Sequence, residues 1–356
     1  MTTAPQLRIG VLGAGPIAQA AHFDAIVKAR NCSLHAICDL APDLLERMSA
    51  VHQPSVAYGD YDMMLADPAV DAVLIATADA FHVPAALRAI AAGKHVLVEK
   101  PAGVAVEEVR QLRDAVRASD RVLQVGHMKR FDPGIAFARH FIREELGQLV
   151  ALKAWYADSA YRYQMTDALQ PVPVRSQGAR RPSTDPKADR AQYYLLTHGS
   201  HLIDTARFLV GEITSVDARL VRRGDMFCWF VATEFADGSN GHLDLTVAVQ
   251  MDWHEGFQVY GTEGSVLAKT FLPWFFRASE VECFSARDRT YHRPLGEDAH
   301  VFRRQVEAFA DTILSGAPQV GADIDDGLAT TQVMVAIARS AAGAGRVRVA
   351  DVTGAV

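Results

Sequence analysis

Short apolar runs alternate with helix-period segments over the first third of this chain. The runs are Ile9–Leu12, Leu34–Ile37, Ala72–Ile75, His95–Val98 and Val122–Val125. Strands separated by helices form crossover units, and crossover units build a parallel sheet. The pattern therefore predicts a doubly wound α/β domain over residues 1–126.

The pattern changes after residue 126. Longer segments there alternate apolar and polar residues, and turns such as Asp237-Gly238 and Glu263-Gly264 separate several of them, as in hairpins. The predicted strands are Ser215–Leu220, Phe227–Phe235, His242–Val249 and Phe257–Tyr260. We expect residues 127–356 to form an α/β domain with an open, mainly antiparallel sheet. Two helical segments within 299–342 are candidates for packing back on the first domain.

A segment rich in proline and basic residues, 164–192, lies between the two patterns. Long loops in compact domains are either disordered or functional. A solvated, mobile loop is the favoured interpretation. The alternative is a lid, whose Arg175, Arg180 and Arg181 would meet the carboxylate of a sugar acid.

Composition narrows the class of protein. A length of 356 residues favours two domains, and a net charge of -6 argues against nucleic acid or an anionic membrane as the main partner. The four cysteines show no CxxC spacing, so neither a metal site nor a disulfide framework is expected. Neither a secretory signal nor a long apolar span is evident, which predicts a cytoplasmic protein. The charge favours a small molecule as its partner.

A glycine-rich turn follows the first predicted strand and opens a helix. Its residues are Gly13, Ala14, Gly15, Pro16, Ile17 and Ala18, which match the GxGxxG/A dinucleotide pattern. The first glycine permits the turn, the second lets a pyrophosphate approach the backbone, and the small alanine allows close packing. The alternative is a glycine turn without a ligand.

Asp39 ends the second predicted strand, where a carboxylate accepts hydrogen bonds from the ribose hydroxyls of NAD. A carboxylate there repels the 2'-phosphate of NADP, and the following Leu40-Ala41-Pro42 supplies no basic side chain to receive that phosphate. NAD is therefore favoured over NADP. The alternative is an aspartate that caps the helix beginning at Pro42.

Lys100 and two histidines are the candidate catalytic residues. Lys100 follows a buried strand at the edge where open α/β sheets bind ligands, and His198 and His201 lie one helical turn apart. The alternatives are a surface ion pair of Lys100 with Glu99 and histidines that serve only packing. A metal pair is not expected, because no third ligand lies nearby.

Three further polar residues could bind cofactor or substrate. His82 begins a helix and could touch the nicotinamide ribose, or merely start that helix. Lys129 and Arg130 follow a strand and could bind an anionic group, or form a solvated helix start.

Several strings together resemble the glucose-fructose oxidoreductase/inositol dehydrogenase/MocA family over nearly the whole chain. They are the GxGxxA turn, Thr77 to His82, Ala91 to Pro101 (AAGKHVLVEKP), Arg130 to Pro133 (RFDP) and Gly199 to Asp204 (GSHLID). The AGKHVxxEKP string is highly specific.

The resemblance implies a Rossmann domain for NAD(P) and a C-terminal domain whose sheet mediates a homodimer or homotetramer. It places Thr77 and Glu99 with the cofactor, Lys100 at both nicotinamide and substrate hydroxyl, and His201 in the acid/base role. Two departures stand out: Thr197 replaces a common aspartate four residues before the histidine, and Ala78-Asp79 replaces the usual Pro-Asn.

These features predict an NAD-dependent dehydrogenase of a secondary hydroxyl in a sugar, sugar acid or cyclitol. The expected substrate-binding residues are Lys100, Lys129, Arg130, Thr197, His198 and His201. Two alternatives stay open: a cofactor-retaining oxidoisomerase or NAD-dependent glycoside hydrolase, and a redox-silent sensor of dinucleotide or sugar.

Overall fold

The chain forms two compact units in a computed structural model, which describes residues 5–166, 168–179, 182–183 and 188–356. One unit comprises the described residues of Met1–Met128, Gln170–Ala188 and Phe302–Leu328. The other comprises those of Lys129–Leu169, Asp189–Val301 and Ala329–Val356. In the described part of the chain, no helix is long and apolar enough to cross a membrane.

The first unit is built on a parallel sheet. Its strands, among the described residues, are β1 (Leu7–Leu12), β2 (Cys32–Cys38), β3 (Val56–Tyr58), β4 (Ala72–Ile75), β5 (His95–Val98) and β6 (Leu123–Val125). They lie in the order β3-β2-β1-β4-β5-β6, which is the Rossmann order. Apolar runs such as β4, buried at every position, are typical of parallel strands covered on both faces.

Helices connect these strands as the alternation predicts. They are α1 (Phe23–Lys28), α2 (Pro42–His52), α3 (Tyr61–Ala66), α4 (His82–Ala91) and α5 (Val106–Arg117), with a π-helical turn over Ala18–His22 and a 3-10 turn over Asp79–Phe81. The chain is helical from Pro16 onward, directly after the glycine turn.

The second unit carries a mixed, mainly antiparallel sheet. Its strands, within the described residues, are β7 (Leu149–Ser159), β8 (Ile213–Arg223), β9 (Met226–Phe235), β10 (Asn240–Val249), β11 (His254–Gly261), β12 (Gly264–Thr270), β13 (Glu280–Ser285), β14 (Thr290–His292) and β15 (Val347–Arg348). Their order is β14-β13-β12-β11-β7-β10-β9-β8-β15. Only β7 and β10 pair in parallel among these described strands.

The remaining helices complete the fold. They are α6 (Pro133–Glu144), α7 (Arg162–Thr166), α8 (Arg190–Tyr194), α9 (Ser200–Val210), α10 (Val301–Ser315) and α11 (Ile324–Arg339), with π-helical turns over Leu195–Gly199 and Ser340–Ala344 and 3-10 turns over Met128–Phe131, Pro273–Phe275 and Val349–Asp351. Helix α9 packs on β7 and β10. The predicted fold class is confirmed, and the predicted late helices are α10 and α11.

The hydrophobic pattern missed several strands. Strand β3 is three residues long, and β14 and β15 are short strands at the two ends of the second sheet, so they carry little pattern. The longer strands β7, β12 and β13 were also not among the predicted segments. The predicted loop 164–192 is shorter in the structure, because α7 extends to Thr166 and α8 begins at Arg190. The domain boundary after residue 126 stays a prediction.

Candidate functional site

The glycine-rich turn of the first unit leaves space beside its backbone. Gly13 has a φ of +91°, and a Cβ there would lie 3.0 Å from the carbonyl oxygen of Ala76, so glycine is required. Apart from the adjoining backbone and chain neighbours, no described heavy atom lies within 4 Å of the point where a Cβ of Gly15 would be. Pro16 and Ile17 begin the helix, whose free amide groups favour an anion. The turn therefore fits a dinucleotide pyrophosphate.

Asp39 links the glycine turn to the loop before α2. Its Oδ2 accepts a hydrogen bond from the Ala14 amide at 2.8 Å, and its Oδ1 accepts one from the Ala41 amide at 2.9 Å. Each carboxylate oxygen can accept two hydrogen bonds, so both oxygens keep capacity for a ribose hydroxyl. The bond to the Ala41 amide is what an aspartate that caps the start of α2 would make. The bond to the Ala14 amide joins Asp39 to the glycine turn expected to bind phosphate.

Thr77 and His82 lie in the segment after β4. Thr77 Oγ1 is buried and has no hydrogen-bond partner among the described residues, and its Cγ2 would be 3.1 Å from a Cβ at Gly13. A buried hydroxyl without a partner is costly, and a bound cofactor could satisfy it. The His82 ring contacts two carbonyl oxygens, that of Pro101 at 2.8 Å and that of Thr77 at 3.1 Å.

Glu99 connects Lys100 with a histidine that the sequence pattern did not single out. Glu99 Oε1 lies 2.8 Å from His22 Nε2, and Glu99 Oε2 accepts a hydrogen bond from the Lys100 amide at 3.1 Å. Burial raises the pKa of Glu99, but the His22 hydrogen bond and the charges of His22, Lys100 and His82 outweigh it and hold the pKa below its ordinary value. An ionised carboxylate therefore lies next to half-buried Lys100.

Tyr156 is the centre of an aromatic and polar cluster in the second unit. Its ring lies parallel to that of His201, with centroids 6.2 Å apart, and meets the edge of His198 at 5.5 Å. Lys129 Nζ lies 4.6 Å from the ring centroid. Burial, with the negative charges of Glu255 and Asp158, raises the pKa of Tyr156 well above its ordinary value. The phenol therefore stays neutral.

A carboxylate binds His198 from strand β7. Asp158 Oδ2 lies 2.6 Å from His198 Nε2 and accepts a hydrogen bond from Arg162 at 3.2 Å. On the other side of the ring, His198 Nδ1 lies 2.7 Å from Thr197 Oγ1, whose hydroxyl donates to the Tyr193 carbonyl at 2.7 Å. Because a hydroxyl has one hydrogen, Nδ1–H donates to Thr197. Asp158 and Thr197 thus contact opposite ring nitrogens of His198.

Lys129 and Arg130 are buried, each beside a carboxylate. Lys129 pairs with Glu255, and Arg130 pairs with Asp204 at 2.7 Å. Burial raises the pKa of Glu255, against the attraction of Lys129. The solvated helix start that we considered for both residues is wrong, since their exposed fractions are 8% and 6%.

The structure describes only part of the basic loop predicted over residues 164–192. Arg175 is exposed, and the residues on either side of it belong to the first unit. Arg180 and Arg181 lie outside the described residues. No cluster of three or more histidine, cysteine, aspartate or glutamate side chains that could hold a metal occurs in the described part of the chain.

Two residues of these clusters, His22 and Asp158, are absent from the candidates that the sequence offers. The position of Asp158 carried a signal, because Leu152, Ala154, Tyr156 and Asp158 share one buried face of β7. A carboxylate at an inward-facing strand position must be paired. His22 lies in the π-helical turn after the glycine turn, between buried Ala21 and Phe23.

Family models match most of the chain. Residues 7–127 match the model described as "Oxidoreductase family, NAD-binding Rossmann fold". Residues 138–267 match the GFO/IDH/MocA C-terminal domain.

Curated relatives and solved structures extend this similarity over nearly the whole chain. The scyllo-inositol 2-dehydrogenase (NAD(+)) of Bacillus subtilis (strain 168) is 25% identical over 94% of this chain and 93% of its own. The inositol 2-dehydrogenase of Rhizobium meliloti (strain 1021) is 27% identical over 94% of this chain and 97% of its own. A levoglucosan dehydrogenase solved with NADH and levoglucosan has the same fold, with a TM-score of 0.80 and 22% identity over 97% of this chain and 99% of that one.

Proposed function

Because this chain belongs to the GFO/IDH/MocA family of NAD-binding oxidoreductases, we propose that it oxidises a secondary hydroxyl of a sugar, sugar acid or cyclitol. The observation that carries the proposal is the cluster of His198, His201 and Lys129 around buried Tyr156. Relatives named as inositol dehydrogenases support the substrate class.

Two residues take part in the proposed chemical step. NAD, when bound, accepts the hydride that leaves the carbinol carbon. Lys100 donates a hydrogen bond to the substrate oxygen and stabilises its developing negative charge. His201 accepts the hydroxyl proton, as an imidazole can near neutral pH. Glu99, ionised and bonded to the Lys100 amide, fixes the backbone at this point.

His198 and Thr197 supply the second part of the proposed substrate site. Asp158 takes the place of the carboxylate that position 197 lacks, and it orients His198 through Nε2. We also propose Lys129 and Arg130 as substrate-binding residues. Because both already pair with buried carboxylates, they would act on substrate as hydrogen-bond donors, and a neutral polyol is favoured over a sugar acid.

The proposed organisation follows the sequence division, with residues 1–126 holding the cofactor and residues 127–356 the substrate. The proposed cofactor contacts are Gly13, Gly15, Asp39 and Thr77, with His82 and Glu99 near the nicotinamide.

We propose a homodimer or homotetramer through the second sheet, where Phe230 and Val221 remain about half exposed. The four cysteines are free thiols, which supports a cytoplasmic location.

The test is a panel of polyols, sugars and sugar acids, including myo-inositol, scyllo-inositol and levoglucosan, assayed with NAD and with NADP. Growth of NADH absorbance in proportion to substrate consumed would support the dehydrogenase. Product formation without net NADH would instead indicate a cofactor-retaining reaction. Tight NADH binding without turnover on any member of the panel would contradict the proposal and favour a sensor.

A further inference from the structure

Residues 170–179, here called the strap, belong to the first unit, although the chain before residue 170 and after residue 188 belongs to the second. The strap contains no helix or strand. Two side chains of the nucleotide-binding region nevertheless bond it at defined places. These bonds assign a role to a segment that the proposed chemistry does not use.

Gln19 is the first attachment. Its side-chain amide donates to the carbonyl of Ala14 at 2.8 Å and to the carbonyl of Val174 at 2.9 Å, while its Oε1 accepts a hydrogen bond from the Val174 amide at 2.8 Å. Both amide hydrogens and the carbonyl oxygen of this buried side chain are thus used. One residue therefore joins the strap to the glycine turn.

Ser176 is the second attachment. Its hydroxyl donates to Asp43 Oδ1 at 2.6 Å and accepts a hydrogen bond from the Gly178 amide at 3.0 Å. Gly178 lies against Ala41, whose Cβ would be 3.8 Å from a Cβ at that glycine. The strap therefore also contacts the start of α2, directly after Asp39.

Each attachment leads to a residue that bonds the carboxylate expected to bind ribose. Ala14 and Ala41, which the strap approaches through Gln19 and Gly178, are the residues whose amides donate to Asp39. A ligand held by Asp39 would have the strap as its neighbour.

We propose that the strap retains the adenosine half of the dinucleotide, so that NADH leaves only when the bonds of Val174 and Ser176 open. The inference concerns the cofactor alone and holds for any substrate. It predicts that cofactor exchange is slow relative to a variant with a loosened strap.

Release of NADH tests the inference. NADH bound to the full chain is displaced by excess NAD, and its fluorescence is followed by stopped flow in wild type, Val174→Pro and Ser176→Ala. The first variant removes the Val174 amide hydrogen and the second removes the Ser176 hydroxyl, while both keep the contact of Gln19 with Ala14. Loss of one or two hydrogen bonds should raise the dissociation rate about threefold to tenfold in each.

Gln177→Ala is the matched control, because Gln177 is an exposed strap residue directly after the second attachment. It should release NADH at the wild-type rate. Unchanged rates in Val174→Pro and Ser176→Ala would overturn the proposal. Slower release would also overturn it, since it would mean that the strap competes with the cofactor for space.

Proteolysis gives a second readout that does not depend on either variant. NADH should protect the strap of the wild-type protein from cleavage, and equal cleavage with and without NADH would overturn the inference. Both measurements need no polyol. A protein that retains NADH but oxidises no alcohol would therefore contradict the proposed function and leave the strap supported.

Discussion

His198 Nε2 lies 2.6 Å from Asp158 Oδ2, which brings a buried carboxylate to the candidate catalytic histidines from strand β7. Position 197 holds a threonine, and its hydroxyl contacts the other ring nitrogen of His198. Both ring nitrogens are thus engaged, which fixes the orientation of the imidazole. The carboxylate that contacts His198 therefore comes from the sheet instead of the helix.

Asp158→Asn should lower kcat by about tenfold to a hundredfold, the size of effect known for partners that orient metal-bound histidines, because Asp158 orients His198 in the same way. The KM for NAD should stay unchanged, and the pH dependence of kcat should change because the carboxylate that contacts His198 is replaced by a neutral amide. Steady-state kinetics across pH measure both effects. Asp244→Asn, a half-buried aspartate on the other face of the same sheet, is the control. Equal effects of the two substitutions would contradict the role of Asp158.

Lys100→Ala should lower kcat by about two to four orders of magnitude, because the ammonium that stabilises the alkoxide is removed. NADH affinity, measured by fluorescence titration, should remain within a few fold of wild type. Lys28→Ala removes an exposed lysine of α1 and should leave turnover intact. Near-normal turnover in Lys100→Ala would refute the catalytic assignment.

Asp39→Asn should reduce the preference for NAD over NADP. The amide keeps one acceptor for the Ala14 or Ala41 amide but removes the charge that repels a 2'-phosphate. The ratio of kcat/KM for the two cofactors should move toward NADP by about tenfold or more, as expected for removal of one charge repulsion. An unchanged ratio would show that Asp39 does not decide cofactor choice.

Glu99 should make stability depend on acid pH. Its folded-state pKa is depressed, so its contribution is complete above the ordinary value of 4.5 and is lost as pH falls through the folded pKa. The difference in free energy of unfolding between wild type and Glu99→Gln should therefore be constant from about pH 7 to about pH 5 and shrink below that range. Urea unfolding at several pH values measures it, with Glu46→Gln on the exposed side of α2 as control. A difference that grows on acidification would contradict the direction of the shift.

Phe230→Asp should weaken self-association through the second sheet. Phe230 is 51% exposed on the face of β9 opposite to buried Trp229 and Val231. A charge there would be costly to bury in an interface. Light scattering after size exclusion should show a smaller assembly than wild type, with the same circular dichroism spectrum. An unchanged mass would exclude this part of the sheet from the interface.

The motif residues of the nucleotide end were predictable because their chemistry is local. Gly13 adopts a positive φ, and the backbone of Gly15 is accessible to a ligand. The GxGxxG/A pattern predicts both features, because each of them requires glycine. The buried partners were not predictable in the same way. His22 and Glu99 are 77 residues apart, and Asp158 and His198 are 40 apart, so only folding brings them together.

Sequence patterns alone predict the two sheets, the glycine turn, the acidic residue after β2 and the family, because periodicity and short motifs follow from backbone geometry. Only the tertiary structure shows which charged side chains form ion pairs within the protein. Lys129 and Arg130 look like free cations in the sequence, yet each lies beside a buried carboxylate. It also decided where the strap attaches, since the bonds of Gln19 and Asp43 join residues more than a hundred positions apart. Such pairings depend on long-range packing, which no local pattern encodes.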